Sequence, residues 1–267
     1  MFFSILFPEG KKYCVTFSYD DGRVEDRRLV ELFNRHNVKA TFHLNSQTLG
    51  VKDGDAEFVS PDEIAELYVG HEVSCHGYTH PSLNFLTKDQ MVSQLIEDRR
   101  NLEKYAGYPI RGMSYPYGDY SDVFLSLASA LGMEYSRTVN STHDYHMPND
   151  FMQWHPTCHH NDALSLVDDF LAKPAGNRLK LFYIWGHSFE FKYQNNWNMM
   201  EELVEKISGN DDIWYATNIE IKDYMTAARN LVTSVDGTSV YNTSAKTVWL
   251  DVDGRTVMAK PGEVTKF

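Results

Sequence analysis

The sequence predicts an α/β protein in which parallel strands and crossover helices form a closed or nearly closed barrel. Short apolar runs alternate with segments of helical period through the first 230 residues, which is the pattern of repeated strand–helix units. About seven such units fit a β/α barrel, and a doubly wound open sheet is the alternative. The 5 Trp, 16 Tyr and 15 Phe residues supply ample apolar surface for its core.

The first half of the chain supplies four of the predicted units. Strands are expected at residues 13–19, 40–44, 71–76 and 111–115, and helices at 25–36, 61–70, 88–107 and 122–131. Two helix starts are marked by capping boxes, SPDE at 60–63 and TKDQ at 87–90. Gly70, Gly107 and Gly132 mark helix ends.

The pattern continues in the second half, with strands expected at residues 134–139, 179–185 and 214–221 and helices at 163–172, 196–207 and 222–232. From Thr233 the composition changes, and Asp-Gly pairs at 236 and 253 separate short β-branched runs, which is the usual hairpin signal. We therefore predict a barrel over residues 1–232 and a small β-rich extension over 233–267, packed on the barrel. Residues 1–7 are apolar without a basic leader, so an edge strand is expected there and not a secretory signal.

Charge and cysteine content narrow the possible partners. The formal net charge is −12, and the two dense basic stretches, 23–28 and 98–104, are interleaved with acids as on solvated helix faces. This argues against nucleic acid and against an anionic membrane surface, and no run approaches the roughly 20 apolar residues of a membrane span. The three cysteines cannot all pair, so free thiols and a cytoplasmic location are expected.

Titratable residues follow four of the predicted strands. Asp20 and Asp21 end the first, His76 and His80 flank the end of the third, the YPYG sequence at 115–118 ends the fourth, and His187 ends a late one. Because reactive side chains collect at the carboxyl ends of barrel strands, we expect these groups to share one site. Taken singly, Asp-Asp-Gly is usually a turn and His-x₃-His occurs by chance.

Two histidines and one carboxylate from another strand make a metal-ligand set with open positions, suited to Zn²⁺ or another late divalent ion. One Asp of the pair can then bind the metal while its neighbour accepts a proton from water. Consecutive strand residues point to opposite faces, but at a strand end followed by Gly22 both carboxylates can reach the site. His187 is positioned to protonate a leaving group.

These residues resemble the motifs of the polysaccharide deacetylases, carbohydrate esterase family 4, which share the NodB homology domain. TFSYDDG at 16–22, HGYTH at 76–80, YPYG at 115–118 and IWGH at 184–187 are similar to its first, second, third and fifth motifs. The resemblance covers residues 13–221 and implies a distorted (β/α)₇ barrel that hydrolyses N-acetyl or O-acetyl groups on a sugar.

The resemblance also implies residue roles. Asp20 would be the general base and His187 the general acid. The metal would be held by Asp21, His76 and His80, with zinc expected and cobalt, nickel or manganese as alternatives. The backbone N–H of Tyr117 would stabilise the oxyanion, and Trp185 would line the acetyl-methyl pocket.

The chain departs from the family pattern at two places. The third motif usually carries an Arg that steadies the base, and here that position is Ser114. Arg137, at the end of the next strand, is the preferred substitute and Arg111 the other. The fourth motif is expected at Asp150 and Trp154, with Asp144 as a rival for the Asp. Trp154, like Arg137, is also expected to contribute to the substrate site.

Three further features stay open. The segment 155–160, HPTCHH, is interpreted as a strand end with incidental histidines, with a substrate-contact segment or a second metal site as alternatives. Glu190 either positions His187 or contacts substrate. Phe189, Phe191 and the aromatics at 193–197 are a glycan platform or part of the core.

The function expected is metal-dependent removal of acetyl groups, above all N-acetyl, from a sugar or oligosaccharide, with an acetylated saccharide as partner. Three alternatives remain: a carbohydrate-binding relative without activity, a same-fold amidase acting on a non-sugar C–N bond, and a non-haem iron oxygenase, whose ligands are also two His and one carboxylate. The sequence assigns neither the glycan nor the oligomeric state.

Overall fold

The computed structural model describes residues 3–267 and carries sixteen strands and eight α-helices within that range. The strands are β1 (Phe3–Leu6), β2 (Tyr13–Asp20), β3 (Ala40–Leu44), β4 (Lys52–Asp53), β5 (Ala56–Glu57), β6 (Glu72–Cys75), β7 (Gly112–Ser114), β8 (Tyr135–Arg137), β9 (Cys158–His159), β10 (Lys180–His187), β11 (Ile213–Tyr215), β12 (Val232–Thr233), β13 (Ser239–Tyr241), β14 (Val248–Val252), β15 (Arg255–Ala259) and β16 (Val264–Lys266). The helices are α1 (Asp26–Arg35), α2 (Ile64–Leu67), α3 (Lys88–Ala106), α4 (Asp122–Ala130), α5 (His160–Ala172), α6 (Ser188–Tyr193), α7 (Trp197–Ile207) and α8 (Asn218–Arg229).

A curled parallel sheet forms the centre of the fold, in the order β8-β7-β6-β3-β2-β10-β9. Strand β11 pairs with the first part of β2, and β3 pairs with its last part. In this register Asp20 stands between His43 of β3 and His187 of β10. The carboxyl ends of the strands therefore meet at one end of the barrel, and the predicted (β/α)₇ class is confirmed.

The segment from Trp154 to His159 connects the two edges of this sheet. The backbone N–H of Trp154 donates to Ser136 at 3.0 Å, and its carbonyl accepts from Thr138 at 3.0 Å. A few residues later, the N–H of Thr157 donates to Tyr183 of β10 at 2.8 Å. One extended segment thus bonds to β8 at one edge of the sheet and to β10 near the other edge, where it continues into β9, and the barrel is nearly closed.

Most helices pack an apolar face against this sheet. In α1 the side chains of Leu29, Leu32 and Phe33 are buried, and Phe33 contacts the ring of Phe17 in β2. Helix α3 ends at Gly107, which has φ of 79° and is a left-handed C-cap. Both predicted capping boxes are present.

The structure corrects the predicted elements near residue 217. The strand expected over 214–221 ends at Tyr215, and α8 begins at Asn218. Thr217 and Glu220 form a third capping box, in which each side chain accepts from the other's backbone N–H. Helix α5 begins at His160, earlier than predicted, and α6 was not predicted.

The prediction that residues 23–28 and 98–104 are solvated helix faces is wrong in part. Asp98 is fully buried, and Asp26 is 1% exposed. Arg23 is also buried, with its guanidinium near the rings of Phe58 and Phe189. Interleaved charges do not distinguish a solvated face from one whose polar groups bind the backbone of a neighbouring loop.

Strands β12 to β16 begin at Val232 and lie in two small antiparallel sheets, one of which also contains β1. Asp253 and Gly254, with φ of 50° and 80°, join β14 to β15 as the Asp-Gly signal predicts. Strand β1 pairs with β14, which places the start of the described chain in the C-terminal sheet. Met1 and Phe2, part of the predicted edge strand, lie outside the described residues.

Cys14, Cys75 and Cys158 are buried free thiols. Among residues 3–267, no helix combines the length and apolar character needed to cross a membrane.

Candidate active site

Asp20 and Asp21 both face the open end of the barrel because the chain turns sharply after β2. Asp21 has φ of 80° and Gly22 φ of 66°, so the backbone leaves the extended conformation at the strand end. A Cβ on Gly22 would lie 2.9 Å from Leu44 Cδ2. The turn therefore requires a residue without a side chain at this position. Consecutive side chains of an extended strand point to opposite faces, and this turn ends that alternation. The two consecutive carboxylates can therefore act in one site.

The ligand atoms of Asp21, His76 and His80 lie within 4.8 Å of one another. The two Nε2 atoms are 3.1 Å apart, and Oδ1 of Asp21 lies 3.6 Å from the first and 3.8 Å from the second. Two ligands of one tetrahedral Zn²⁺ would stand about 3.3 Å apart at Zn–N distances of about 2.0–2.1 Å. The donor set and spacing fit a late divalent ion.

Contacts around His76 set its tautomer. Its Nδ1 lies 3.1 Å from the carbonyl oxygen of Ser114 and 2.7 Å from the Ser114 hydroxyl, which donates to Asp20 at 3.1 Å. A proton on Nδ1 satisfies these acceptors and leaves the lone pair of Nε2 free for a metal. Burial lowers the pKa of His76 to about 4, so the imidazole is neutral, as a ligand must be.

Asp98 binds the loops that carry this cluster, a role that was not predicted from the sequence. Its carboxylate accepts from the backbone N–H of Ser46 at 2.8 Å and of His76 at 3.0 Å. The residue lies on α3 in a charged stretch, where only the tertiary fold distinguishes it from its solvated neighbours.

Asp20 is 2% exposed and forms an ion pair with Arg137, which is completely buried. Burial alone would raise the pKa of Asp20, but Arg137 above all, with His76, His43 and His187, holds it well below its usual range. Arg137 therefore contacts the carboxylate that the family's third-motif Arg, replaced here by Ser114, is expected to contact. Arg111 instead pairs with Glu134 and Asp223.

His187 lies at the end of β10, and its partner is Glu190. Nδ1 of His187 stands 3.3 Å from Oε1 of Glu190. Burial disfavours the imidazolium, but Glu190, Asp20 and Asp21 outweigh it and raise the pKa of His187. The spacing of three residues, from the last residue of a strand into the first turn of α6, brings the two side chains together.

The residues expected to form the fourth motif lie elsewhere. Asp150 caps a short 3₁₀ turn by accepting from Met152, and Asp144 pairs with His146. Trp154 is 1% exposed and packs on Tyr135, Phe151 and Tyr183. The expectation that Trp154 contacts substrate does not agree with this burial, because the indole closes the barrel edge instead.

Trp185 lies beside Arg137 and His187, and Tyr117 lies beside His80. The indole of Trp185 stacks 4.5 Å from the Arg137 guanidinium and contacts the rings of His159 and His187. Tyr117 has φ of 58°, and its ring, 66% exposed, lies 4.5 Å from that of His80. Left-handed backbone at Asp21, His80 and Tyr117 is strain concentrated at one site.

The remaining open features divide between core and surface. Phe191 is fully buried, whereas Tyr193 is exposed. His155 contacts the hydroxyl of Thr138 at 2.6 Å. His159 and His160 converge on Glu190, with N–O distances of 3.0 and 3.1 Å, so these two are not incidental.

Comparison with known proteins gives one consistent family. The family model described as polysaccharide deacetylase matches residues 8–136. Chitin deacetylase 1 of Cryptococcus neoformans is 28% identical over 142 residues, covering 49% of this chain and 28% of that protein. The peptidoglycan-N-acetylglucosamine deacetylase of Bacillus cereus is 27% identical over 107 residues, covering 39% and 36%. The chain thus matches about a third of the length of these relatives.

A solved structure of a proposed polysaccharide deacetylase from Mycobacterium smegmatis shares the fold. It superposes with a TM-score of 0.63 at 20% identity, covering 85% of this chain and 94% of that one. At this identity the likeness concerns the fold alone.

Proposed function

We propose that the chain is a metal-dependent hydrolase that removes acetyl groups, principally N-acetyl, from a sugar or oligosaccharide, because residues 8–136 match the polysaccharide deacetylase family model and the relatives it resembles are deacetylases by name. The ion would be zinc, with cobalt, nickel or manganese as alternatives, and the substrate an acetylated saccharide. The related proteins named above act on chitin and peptidoglycan by their names, which supports an N-acetylated glycan.

The observation that carries this proposal is the Arg137–Asp20 ion pair beside Asp21, His76 and His80. A carbohydrate-binding relative without activity would need no cation at this position. The chain lacks the usual Arg at Ser114, yet a guanidinium from the next strand contacts the same carboxylate. This supports an active enzyme over a binding protein.

Asp20 is the general base of the proposed reaction. The Arg137 guanidinium and the Ser114 hydroxyl keep its carboxylate ionised and fixed in direction, so it can accept a proton from the attacking water. Asp21, His76 and His80 would hold the metal, which supplies Lewis-acid polarisation of the acetyl carbonyl when bound. The backbone N–H of Tyr117 would donate to the oxyanion.

His187 is the general acid. As the C–N bond breaks, its imidazolium donates a proton to the leaving amine, and acetate is released. Glu190 holds Nδ1 of His187 at 3.3 Å and favours the charged ring, so the proton is present before the step. Arg137 and Trp185 form the adjoining wall, with the indole next to the space assigned to the acetyl methyl.

The test is elemental analysis followed by assays for acetate release from N-acetylglucosamine oligomers and O-acetylated xylan. We expect about one equivalent of metal to be lost in Asp21→Ala and His80→Ala. Asp20→Asn should abolish acetate release while this metal stays bound, and His187→Ala should lower turnover by about 10²–10⁴. Loss of both metal and activity in Asp20→Asn, or of neither, would refute its role.

Asp150→Asn is the matched control, because Asp150 is a carboxylate that caps a 3₁₀ turn away from the cluster. Its acetate release should equal that of the wild type. A metal-loaded wild type that releases acetate from none of these sugars would favour the amidase alternative.

A further inference from the structure

Two histidines and a glutamate meet next to His187. Nε2 of His159 and Nε2 of His160 lie 3.0 and 3.1 Å from the same oxygen, Oε2 of Glu190. The adjacent histidines can point together because the chain changes there from β9 to α5. Glu190 reaches them from α6.

These three groups are close together without being hydrogen-bonded. Among the atoms of residues 3–267, neither nitrogen of His160 nor Oε2 of Glu190 has a hydrogen-bond partner. His160 is fully buried. Buried polar atoms in proteins are nearly always satisfied, and ligand atoms that converge at about 3 Å without a well-aligned hydrogen bond are an arrangement that a cation would satisfy.

The surroundings are built to hold the His160 ring. It packs against the rings of Tyr19 and Phe191, at centroid distances of 5.8 and 4.3 Å. A Cβ on Gly186 would come within 2.0 Å of Nδ1 of His160, so the glycine before His187 leaves the space that the imidazole occupies. Nε2 of His159 is directed into the cluster, while its Nδ1 accepts a long hydrogen bond of 3.4 Å from the backbone N–H of Asn161. Binding of an ion at Nε2 would move the ring proton to Nδ1 and replace this long hydrogen bond.

We propose that His159, His160 and Glu190 form a second binding site, separate from Asp21, His76 and His80, for a late divalent cation such as Zn²⁺ or Co²⁺. Two imidazoles and one carboxylate are the donors these ions select. Ligand atoms of one tetrahedral zinc stand about 3.3 Å apart, close to the distances measured. His159 and Glu190 are partly exposed, at 22% and 21% of their side chains, so an ion can enter and a fourth ligand can bind.

The Glu190 carboxylate would join the second site to His187, the general acid of the proposed reaction. Oε1 of Glu190 contacts His187, and Oε2 faces His159 and His160. A bound cation would fix the carboxylate that positions His187. The inference does not depend on the proposed reaction, because its readout is metal content.

The experiment measures bound zinc by elemental analysis after zinc loading and gel filtration. The background is Asp21→Ala/His80→Ala, which removes the first site and leaves the second intact. We expect two equivalents in the wild type, one in this double variant, and none when His159→Ala is added. His159 is the chosen ligand because it is partly exposed, and near-UV circular dichroism of each variant verifies that it is folded.

His143→Ala added to the same background is the matched control, since His143 is an exposed histidine outside the cluster. It should keep its one equivalent. The proposal is overturned if the double variant holds no zinc, or if its zinc persists when His159 is replaced. Titration with Co²⁺ gives the independent measurement, and its stoichiometry should follow the same series.

Discussion

A carboxyl group is buried at each end of the barrel, Asp20 at the carboxyl ends of the strands and Glu72 at their amino ends, and the two groups differ in their tendency to ionise. At the carboxyl ends, Asp20 pairs with Arg137 and its pKa is held well below the usual range. At the amino ends, Glu72 accepts hydrogen bonds from Tyr135, Thr41 and the backbone of Ile219, at 2.7 to 2.9 Å. Burial nevertheless raises the pKa of Glu72 to about 7.

The comparison shows that neutral donors do not offset the desolvation of a buried carboxylate here, whereas one cation does. Glu72 can be neutral because its task is to connect strands β3, β6 and β8 to the start of α8. Asp20 must be ionised to accept a proton. The end of the barrel that we assign to catalysis is the one where the chain places a buried guanidinium.

The largest effect is expected from Arg137→Met, which removes the cation and keeps most of the side-chain volume. Burial then acts unopposed by the guanidinium and raises the pKa of Asp20. Because the base works only when ionised, acetate release should fall about 100-fold or more, and the remaining rate should increase with pH. Loss of one partner of a buried ion pair should also lower the free energy of unfolding by about 3–5 kcal/mol. Rate–pH profiles and urea unfolding measure these effects.

Arg111→Met is the control for Arg137→Met, since Arg111 is the other arginine that the sequence offered. It pairs with Glu134 and Asp223 at a partly exposed position. We expect its pH profile to match the wild type. If Arg111→Met affected the rate more than Arg137→Met, the assignment of the cation to Asp20 would be wrong.

Glu72→Gln tests the other end of the barrel through stability. In the unfolded chain Glu72 ionises near 4.5, whereas in the folded protein its pKa is about 7. Its stabilising contribution is therefore complete below 4.5 and is lost as the pH rises toward 7. Glutamine cannot ionise, so at pH 8 the variant should be more stable than the wild type by about 2–3 kcal/mol, relative to their difference at pH 4.5.

Urea unfolding of both proteins at several pH values measures this difference. The glutamine can keep the contacts, because its amide can donate to the Tyr135 oxygen, and the single Tyr135 proton, which is given to Glu72 in the wild type, can then be donated to the Ser74 hydroxyl 3.0 Å away. Other buried acids, such as Asp26 and Asp98, titrate alike in the two proteins and cancel. Parallel stability curves would show that Glu72 does not titrate in this range.

The fold and the grouping of Asp21, His76 and His80 into a candidate metal site could be predicted from sequence because their signals are local. Strand periodicity and the Asp-Asp-Gly turn need no knowledge of distant residues. The choice of Arg137 over Arg111 also followed from strand order, since the last residue of β8 lies at the same end as Asp20.

The features that the sequence did not give depend on packing between distant elements. Asp98 belongs to a charged helical stretch, and its burial arises only when α3 covers the loops after β3 and β6. Trp154 was placed in the site by motif position, but the tertiary structure uses it to close the barrel edge. Glu190 is only three residues after His187, but the contact between their side chains depends on α6, a helix that was not predicted.

The smallest effect is expected from Ser114→Ala, which removes a neutral donor from Asp20 and leaves the cation in place. The hydroxyl donates to Asp20 at 3.1 Å, while the Ser114 carbonyl that accepts from His76 survives the change. Loss of one such hydrogen bond should cost about 0.5–1.5 kcal/mol, so kcat/KM for acetate release should fall about 2- to 10-fold with zinc content unchanged. Ser136→Ala, at a buried hydroxyl on β8 with no hydrogen-bond partner among residues 3–267, controls for the cavity and should leave the rate unaltered. A loss at Ser114 as large as that of Arg137→Met would mean that neutral donors and the cation hold Asp20 equally, and the contrast between the two ends of the barrel would then have to be explained by something other than charge.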